Sequence, residues 1–126
     1  MKLKGRAIFE GKAEGRALVS SSPLSFYGGV NPDTGEVIER GSELFGQSVK
    51  GRVLVFPYGK GSTVGSYVLY RLAKNGAAPC AIVNTKCETI VAVGAIIAEI
   101  PCVDKVDVGK VKSDARVRID GATVEF

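Results

Sequence analysis

The chain has 126 residues, 45% of them apolar and 24% charged, with a formal net charge of +4 and no histidine. That length fits one domain, residues 1–126, able to bury a core without staples. The missing histidine excludes Ser-His-Asp and Cys-His catalysis and the usual neutral-pH base. The mild charge excludes a nucleic-acid patch, because Lys105, Lys110, Lys112, Arg116 and Arg118 are interleaved with Asp104, Asp107, Asp114 and Asp120.

No apolar run approaches the roughly 20 residues of a membrane helix. Met1-Lys2-Leu3-Lys4-Gly5 has no apolar signal-peptide core behind it. A cytoplasmic location without membrane contact is expected.

In chain order, residues 3–10 and 14–20 read as two strands of an antiparallel hairpin with Gly11-Lys12 at its turn. A long irregular loop follows, Ser20 to Gly35. Its Leu24, Phe26, Tyr27 and Val30 are too apolar for a disordered linker. The loop either lines a site or docks a partner, or its aromatics pin it to its own core. Glu36–Glu39 is a short strand candidate, and Val49–Phe56 is a strand buried on both faces at its end. Val64, Tyr67, Val68 and Leu72 recur at helical spacing on one face, and Asn75-Gly76 supplies a stop. Ala81–Val83 is a further buried strand, Thr89–Ala98 a nearly all-apolar helix, and Pro101–Val103 another strand.

Residues 49–103 thus alternate strand, helix, strand, helix, strand. The pattern predicts a parallel sheet with right-handed crossovers. The tail, Arg116 to Phe126, alternates around Asp120-Gly121 and predicts a hairpin. The fold class is α/β: a small parallel sheet with two helices, covered by antiparallel hairpins.

Of the three cysteines, Cys80 and Cys102 sit in apolar runs and read as small core residues. Cys87 lies in a polar stretch and is the one expected nearest a site. An odd number with wide spacing argues against a disulfide framework.

The stretch Pro57-Tyr58-Gly59-Lys60-Gly61-Ser62-Thr63-Val64-Gly65-Ser66 joins the strand ending at Phe56 to the following helix. A strand, tight loop and helix start present N–H groups and the positive end of a helix dipole to an anion. The order is not that of a nucleotide-binding P-loop, which needs G-x-x-x-x-G-K-[ST]. Here the lysine precedes the second glycine. Two readings of Ser62 remain open on spacing alone. It is a helix cap, or it is a hydroxyl whose alkoxide is stabilised by the helix start and a nearby cation.

Pro23-Leu24-Ser25-Phe26-Tyr27-Gly28-Gly29-Val30, taken with Lys60-Gly61-Ser62-Thr63-Val64-Gly65-Ser66, resembles the small subunit of the aconitase X family over essentially the whole chain. The resemblance implies the swivelling β/β/α domain of the aconitase superfamily. It implies a heterodimer whose large subunit holds an iron–sulfur cluster through its own cysteines, with no metal bound by this chain. The implied reaction dehydrates a phosphorylated small molecule, (R)-5-phosphomevalonate, with Ser62 as the proton acceptor. Ser22–Asn31 would close the site at the subunit interface. Lys60, Gly61, Thr63, Ser25, Gly28 and Gly29 are the substrate-binding candidates. A hydroxyproline dehydratase of the same group is the alternative within the family, and a non-catalytic anion-binding or interaction module is the alternative outside it.

Overall fold

Val53–Phe56, Ala81–Asn84 and Cys102–Asp104 are buried at every position. Strands must be covered on both faces for that to hold, and the architecture supplies a layer on each side. The computed structural model describes residues 1–126. The chain runs β1 (Lys2–Lys4), β2 (Arg6–Phe9), β3 (Lys12–Val19), β4 (Leu24–Ser25), β5 (Val53–Phe56), β6 (Gly59–Lys60), α1 (Gly65–Lys74), β7 (Ala81–Asn84), α2 (Thr89–Ala98), β8 (Cys102–Asp104), a 3-10 turn (Val108–Lys110), β9 (Arg116–Asp120) and β10 (Thr123–Glu125).

The main sheet has the order β1-β10-β9-β3-β5-β7-β8-β2. β5, β7 and β8 are parallel neighbours, as the strand–helix alternation predicts, and β3 extends the parallel set beside β5. β1 and β2 flank Gly5, so one residue joins the two ends of that order and the sheet closes on itself. Gly5 donates to Ala122 O at 2.8 Å, and a Cβ there would fall 2.2 Å from the Asp104 carbonyl oxygen. Only glycine allows this closure.

Period-two alternation sends the strand side chains to two cores. Val53, Val55, Ala81, Val83, Val103, Val117, Ile119 and Val124 fill the interior of the closed sheet. Leu54, Phe56, Ile82 and Cys102 face outward to meet Val68, Leu69 and Leu72 of α1 and Val91 and Ala95 of α2. The β/β/α arrangement is the one expected from the sequence.

Several local expectations are corrected. β2 and β3 form no hairpin: β2 pairs antiparallel with β8, while β3 pairs with β9 and β5. Alternation marks a strand but not its partner. The strand expected from Val49 begins only at Val53, because Gly51 turns the chain at φ +70°. Glu36–Glu39 is held by isolated bridges, Val30–Val37 and Glu36–Ser48, and forms no regular strand.

The buried stripe of α1 is Gly65, Val68, Leu69 and Leu72, leaving Tyr67 and Val64 exposed. Small residues shift the stripe: Ser66 Oγ donates to Ile90 O at 2.6 Å, and a Cβ on Gly94 would meet Leu69 Cδ1 at 2.5 Å. Cys102 is fully buried as expected, whereas Cys80 is only half-buried beside the inner core. The predicted stop of α1 is present, and α2 has a side-chain cap. Asn75 closes α1 before Gly76 at φ +69°, and Glu88 caps α2 by accepting from Ile90 N and Val91 N. No helix is long and apolar enough to cross a membrane.

Candidate active site

The three buried polar residues, Ser20, Asn84 and Asp104, stand at the carboxyl ends of β3, β7 and β8. The Pro57–Val64 connection leaves β5 at the same end, where ligands of parallel α/β sheets gather. Within it, β6 pairs in parallel with β4: Leu24 lies opposite Gly59 and Ser25 opposite Lys60. The two motifs read from the sequence, far apart along the chain, are therefore brought side by side.

Packing fixes how closely they approach. A Cβ on Gly61 would lie 2.8 Å from Ser25 Oγ, and one on Gly29 would lie 2.1 Å from Ser25 O. Gly65 faces Phe26, whose ring is buried edge-on against Phe56 at 5.9 Å between centroids. Ser25 Oγ donates to Tyr27 O at 3.2 Å, closing the turn that carries Gly28 and Gly29. The loop thus combines both expectations: Leu24, Phe26 and Val30 anchor it in the core, while Tyr27 and Gly28 stay exposed.

Gly61 turns the chain at φ +95°, and Gly61, Ser62 and Thr63 are all exposed. Their three N–H groups donate to no acceptor in the chain, and those of Tyr27 and Gly28 likewise. The only hydrogen bond of Ser62 Oγ within the chain is the one it accepts from Val64 N at 3.1 Å. Ser62 is therefore not the N-cap of α1. The helix begins at Gly65 with Val64 as cap and no side-chain bond. Gly65 N reaches back to Ser62 O at 2.9 Å and Ser66 N to Thr63 O at 3.3 Å, forming tight turns that lift Ser62 clear of the helix. Successive unpaired N–H groups beside a left-handed glycine form a concavity that holds an anion.

Lys60 Nζ lies 3.2 Å from Glu39, so the cation beside the turn has a carboxylate partner in the chain. Glu39 was not among the sequence candidates, because no local pattern links residues that far apart. Glu43, on the same segment, accepts from Ser21 Oγ and Ser21 N, each at 2.7 Å. The Ser21 hydroxyl is the main reason its carboxyl lies below the usual range, against an opposing effect of burial. Glu39 and Glu43 thus tie the 36–47 segment over both site loops.

The Ser62 turn lines none of the cavities of this chain. The largest, about 520 Å³, lies between Met1, Lys2, Arg116, Arg118 and Phe126, on the β1, β9 and β10 part of the main sheet. Exposed Tyr27, Val64 and Tyr67 stand around the turn instead.

The cysteines do not fit an iron–sulfur cluster. Cys80 lies against Glu14 O, Cys87 and Cys102 lie against each other, and no group of three or more His, Cys, Asp or Glu side chains converges. Cys87, expected nearest a site, bonds to Asp104, Glu88 and Cys102 and not to the Ser62 turn.

A model of the aconitase X swivel domain matches residues 2–126. The phosphomevalonate dehydratase small subunit of Thermococcus kodakarensis is 59% identical, over 99% of this chain and 94% of that protein. The protein of the same name from Thermococcus onnurineus is 63% identical, over 94% of this chain and 92% of that protein. A chain in the crystal structure of Thermococcus kodakaraensis aconitase X in its holo form superposes with a TM-score of 0.98. It is 58% identical, with 99% of this chain and 97% of that one covered. This chain belongs to the aconitase X swivel-domain family.

Proposed function

We propose that this chain is the small subunit of a two-chain phosphomevalonate dehydratase. The enzyme is a hydro-lyase that converts (R)-5-phosphomevalonate to trans-anhydromevalonate 5-phosphate in a cytoplasmic mevalonate route to isoprenoids. The high identity to dehydratase small subunits over almost the whole chain supports the substrate. The observation that carries the site is the Ser62 turn, a hydroxyl set among unpaired N–H groups on an open surface.

Ser62 acts as the proton acceptor. Its alkoxide is held by Val64 N–H and by the N–H groups left free around Gly61–Thr63, an electrostatic role that needs no histidine. It takes the proton from the carbon next to the substrate carboxylate. The electron pair of that C–H bond becomes the new double bond as the hydroxyl leaves from the neighbouring carbon; the proton taken up by Ser62 makes it one water, which restores the alkoxide. An iron–sulfur cluster held by the large subunit supplies Lewis-acid binding of the leaving hydroxyl. Lys60 and Ser25, neighbours across the β4–β6 pairing, receive the substrate's carboxylate or phosphate together with the Gly61, Thr63, Gly28 and Gly29 backbone.

The test is reconstitution. This chain and a cluster-loaded large subunit are mixed anaerobically with 5-phosphomevalonate, and each is assayed alone. We expect turnover only from the mixture. Turnover by the large subunit alone, or none from the mixture, would overturn the reading.

A further inference from the structure

Cys87 Sγ lies 3.7 Å from Cys102 Sγ. Closing that gap to the roughly 2.0 Å of a disulfide needs less than the sweep of a cysteine χ1 rotation. Cys87 stands immediately before the Glu88 cap of α2, and Cys102 opens β8 just after it, so the two thiols bracket the whole helix. We propose that Cys87 and Cys102 form a redox-active thiol pair, which closes to an intramolecular disulfide on reaction with a small-molecule disulfide oxidant.

The order of attack follows from burial. Cys102 is fully buried and Cys87 half-buried. The hydrogen bond to Cys87, then burial, push the Cys102 thiol well above its ordinary range. Cys87 is therefore the sulfur that meets oxidant. Its backbone is held in place: Asp104 accepts Cys87 N–H at 3.0 Å and itself binds the Arg6 guanidinium at 2.8 and 3.0 Å. Cys87 thiolate attacks one sulfur of the oxidant and releases the other half as a thiol. Cys102 then attacks the Cys87 sulfur and releases the second thiol. Two S–H bonds are lost, one S–S bond forms, two protons leave, and the oxidant takes up both electrons. Cys80, against Glu14 O at 3.8 Å, takes no part.

The bond would staple both ends of α2. That helix supports the site, because Glu88 and Val91 press on Gly59 of β6 and Ile90 O accepts from Ser66. The inference does not rest on the dehydratase reading.

The whole chain is treated with oxidised glutathione and examined by intact mass, thiol alkylation and peptide mapping. We expect a mass loss of two hydrogens, one alkylatable thiol and a Cys87–Cys102 cross-linked peptide. Hydrogen exchange in α2 should slow, and dithiothreitol should reverse every change. Cys80→Ser keeps this behaviour; Cys87→Ser and Cys102→Ser each abolish the mass loss. A glutathione adduct that persists on any cysteine, or three thiols still free, would overturn the proposal. The wild-type peptide map decides even if a variant fails to fold.

Discussion

Gly29→Ala is the sharpest perturbation of the site that leaves every polar group in place. The added Cβ would sit 2.1 Å from Ser25 O, where ordinary contact begins at 3.4 Å. The obstacle is backbone, so no side-chain rotation relieves it, and the β4 turn must open by roughly 1 Å. Overpacking of this kind costs about 1–3 kcal/mol. A displacement of about 1 Å in a positioning loop costs roughly 10²-fold in rate. Gly28→Ala is the control. Gly28 has φ +78° and nothing within 4 Å of its Cβ position. That substitution meets only the left-handed backbone penalty of about 1–2 kcal/mol, and it keeps the Gly28 N–H. Urea denaturation of this chain and turnover of the reconstituted pair measure both effects. We expect similar stability losses from the two variants, with a rate loss near 10²-fold confined to Gly29→Ala. A Gly29→Ala protein with wild-type stability and turnover would refute the close packing of the two loops.

Phe26→Leu removes the edge-on contact with Phe56. It should cost about 1 kcal/mol in urea denaturation and loosen the Tyr27–Gly28 turn, seen as faster hydrogen exchange there. Lys60→Ala should raise KM with little change in kcat, because Lys60 binds an anion and takes no part in proton transfer. Unchanged steady-state kinetics would remove that assignment. Acid should unfold the protein through carboxylates held low in the folded state. For Asp104, burial pushes the carboxyl up, but hydrogen bonds from Arg6 and Cys87 N–H outweigh it and leave the group below its usual range. Glu14 beside Arg116, Glu43 beside Ser21 and Glu125 beside Lys2 are lowered too. Each contributes stability present above the unfolded carboxylate pKa of about 4 and lost as pH falls through the folded value. Thermal melts should hold steady down to about pH 5 and then drop. Asp104→Asn should lower the neutral-pH melting point and flatten the acid limb.

The elements with punctuation of their own were legible in the sequence. Thr89–Ala98 is a helix at both predicted ends because Glu88 caps its start and Glu99 ends it in the left-handed region; only Val91, Gly94 and Ala95 are buried, and Val93, Ile96 and Ile97 stay exposed. Asp120-Gly121 turns β9 into β10 with Gly121 at φ +58°. The continuous apolar runs became the parallel strands. Pairing over long distances was not legible. β2 lies beside β8 because Gly5 lets the chain cross from one end of the sheet order to the other, and nothing local records that. The face of α1 was misread because periodicity follows large apolar residues. Here Gly65 and Ser66 make the closest approach, while Tyr67 and Val64 point away from the core. In the site, the two motifs were visible, but their meeting through the β4–β6 pairing was not. Nor was the Lys60–Glu39 ion pair, formed across the loop between them.

The most direct measurement of the central claim is the rate of Ser62→Ala in the reconstituted enzyme, read beside its stability and its association with the large subunit. Ser62 is exposed and its Oγ accepts only Val64 N–H, so the variant should fold and assemble, losing less than about 1 kcal/mol. Removal of a positioned proton acceptor should lower kcat by at least ~10²-fold. A folded, assembled Ser62→Ala enzyme with wild-type turnover would contradict the claim that this serine carries the proton.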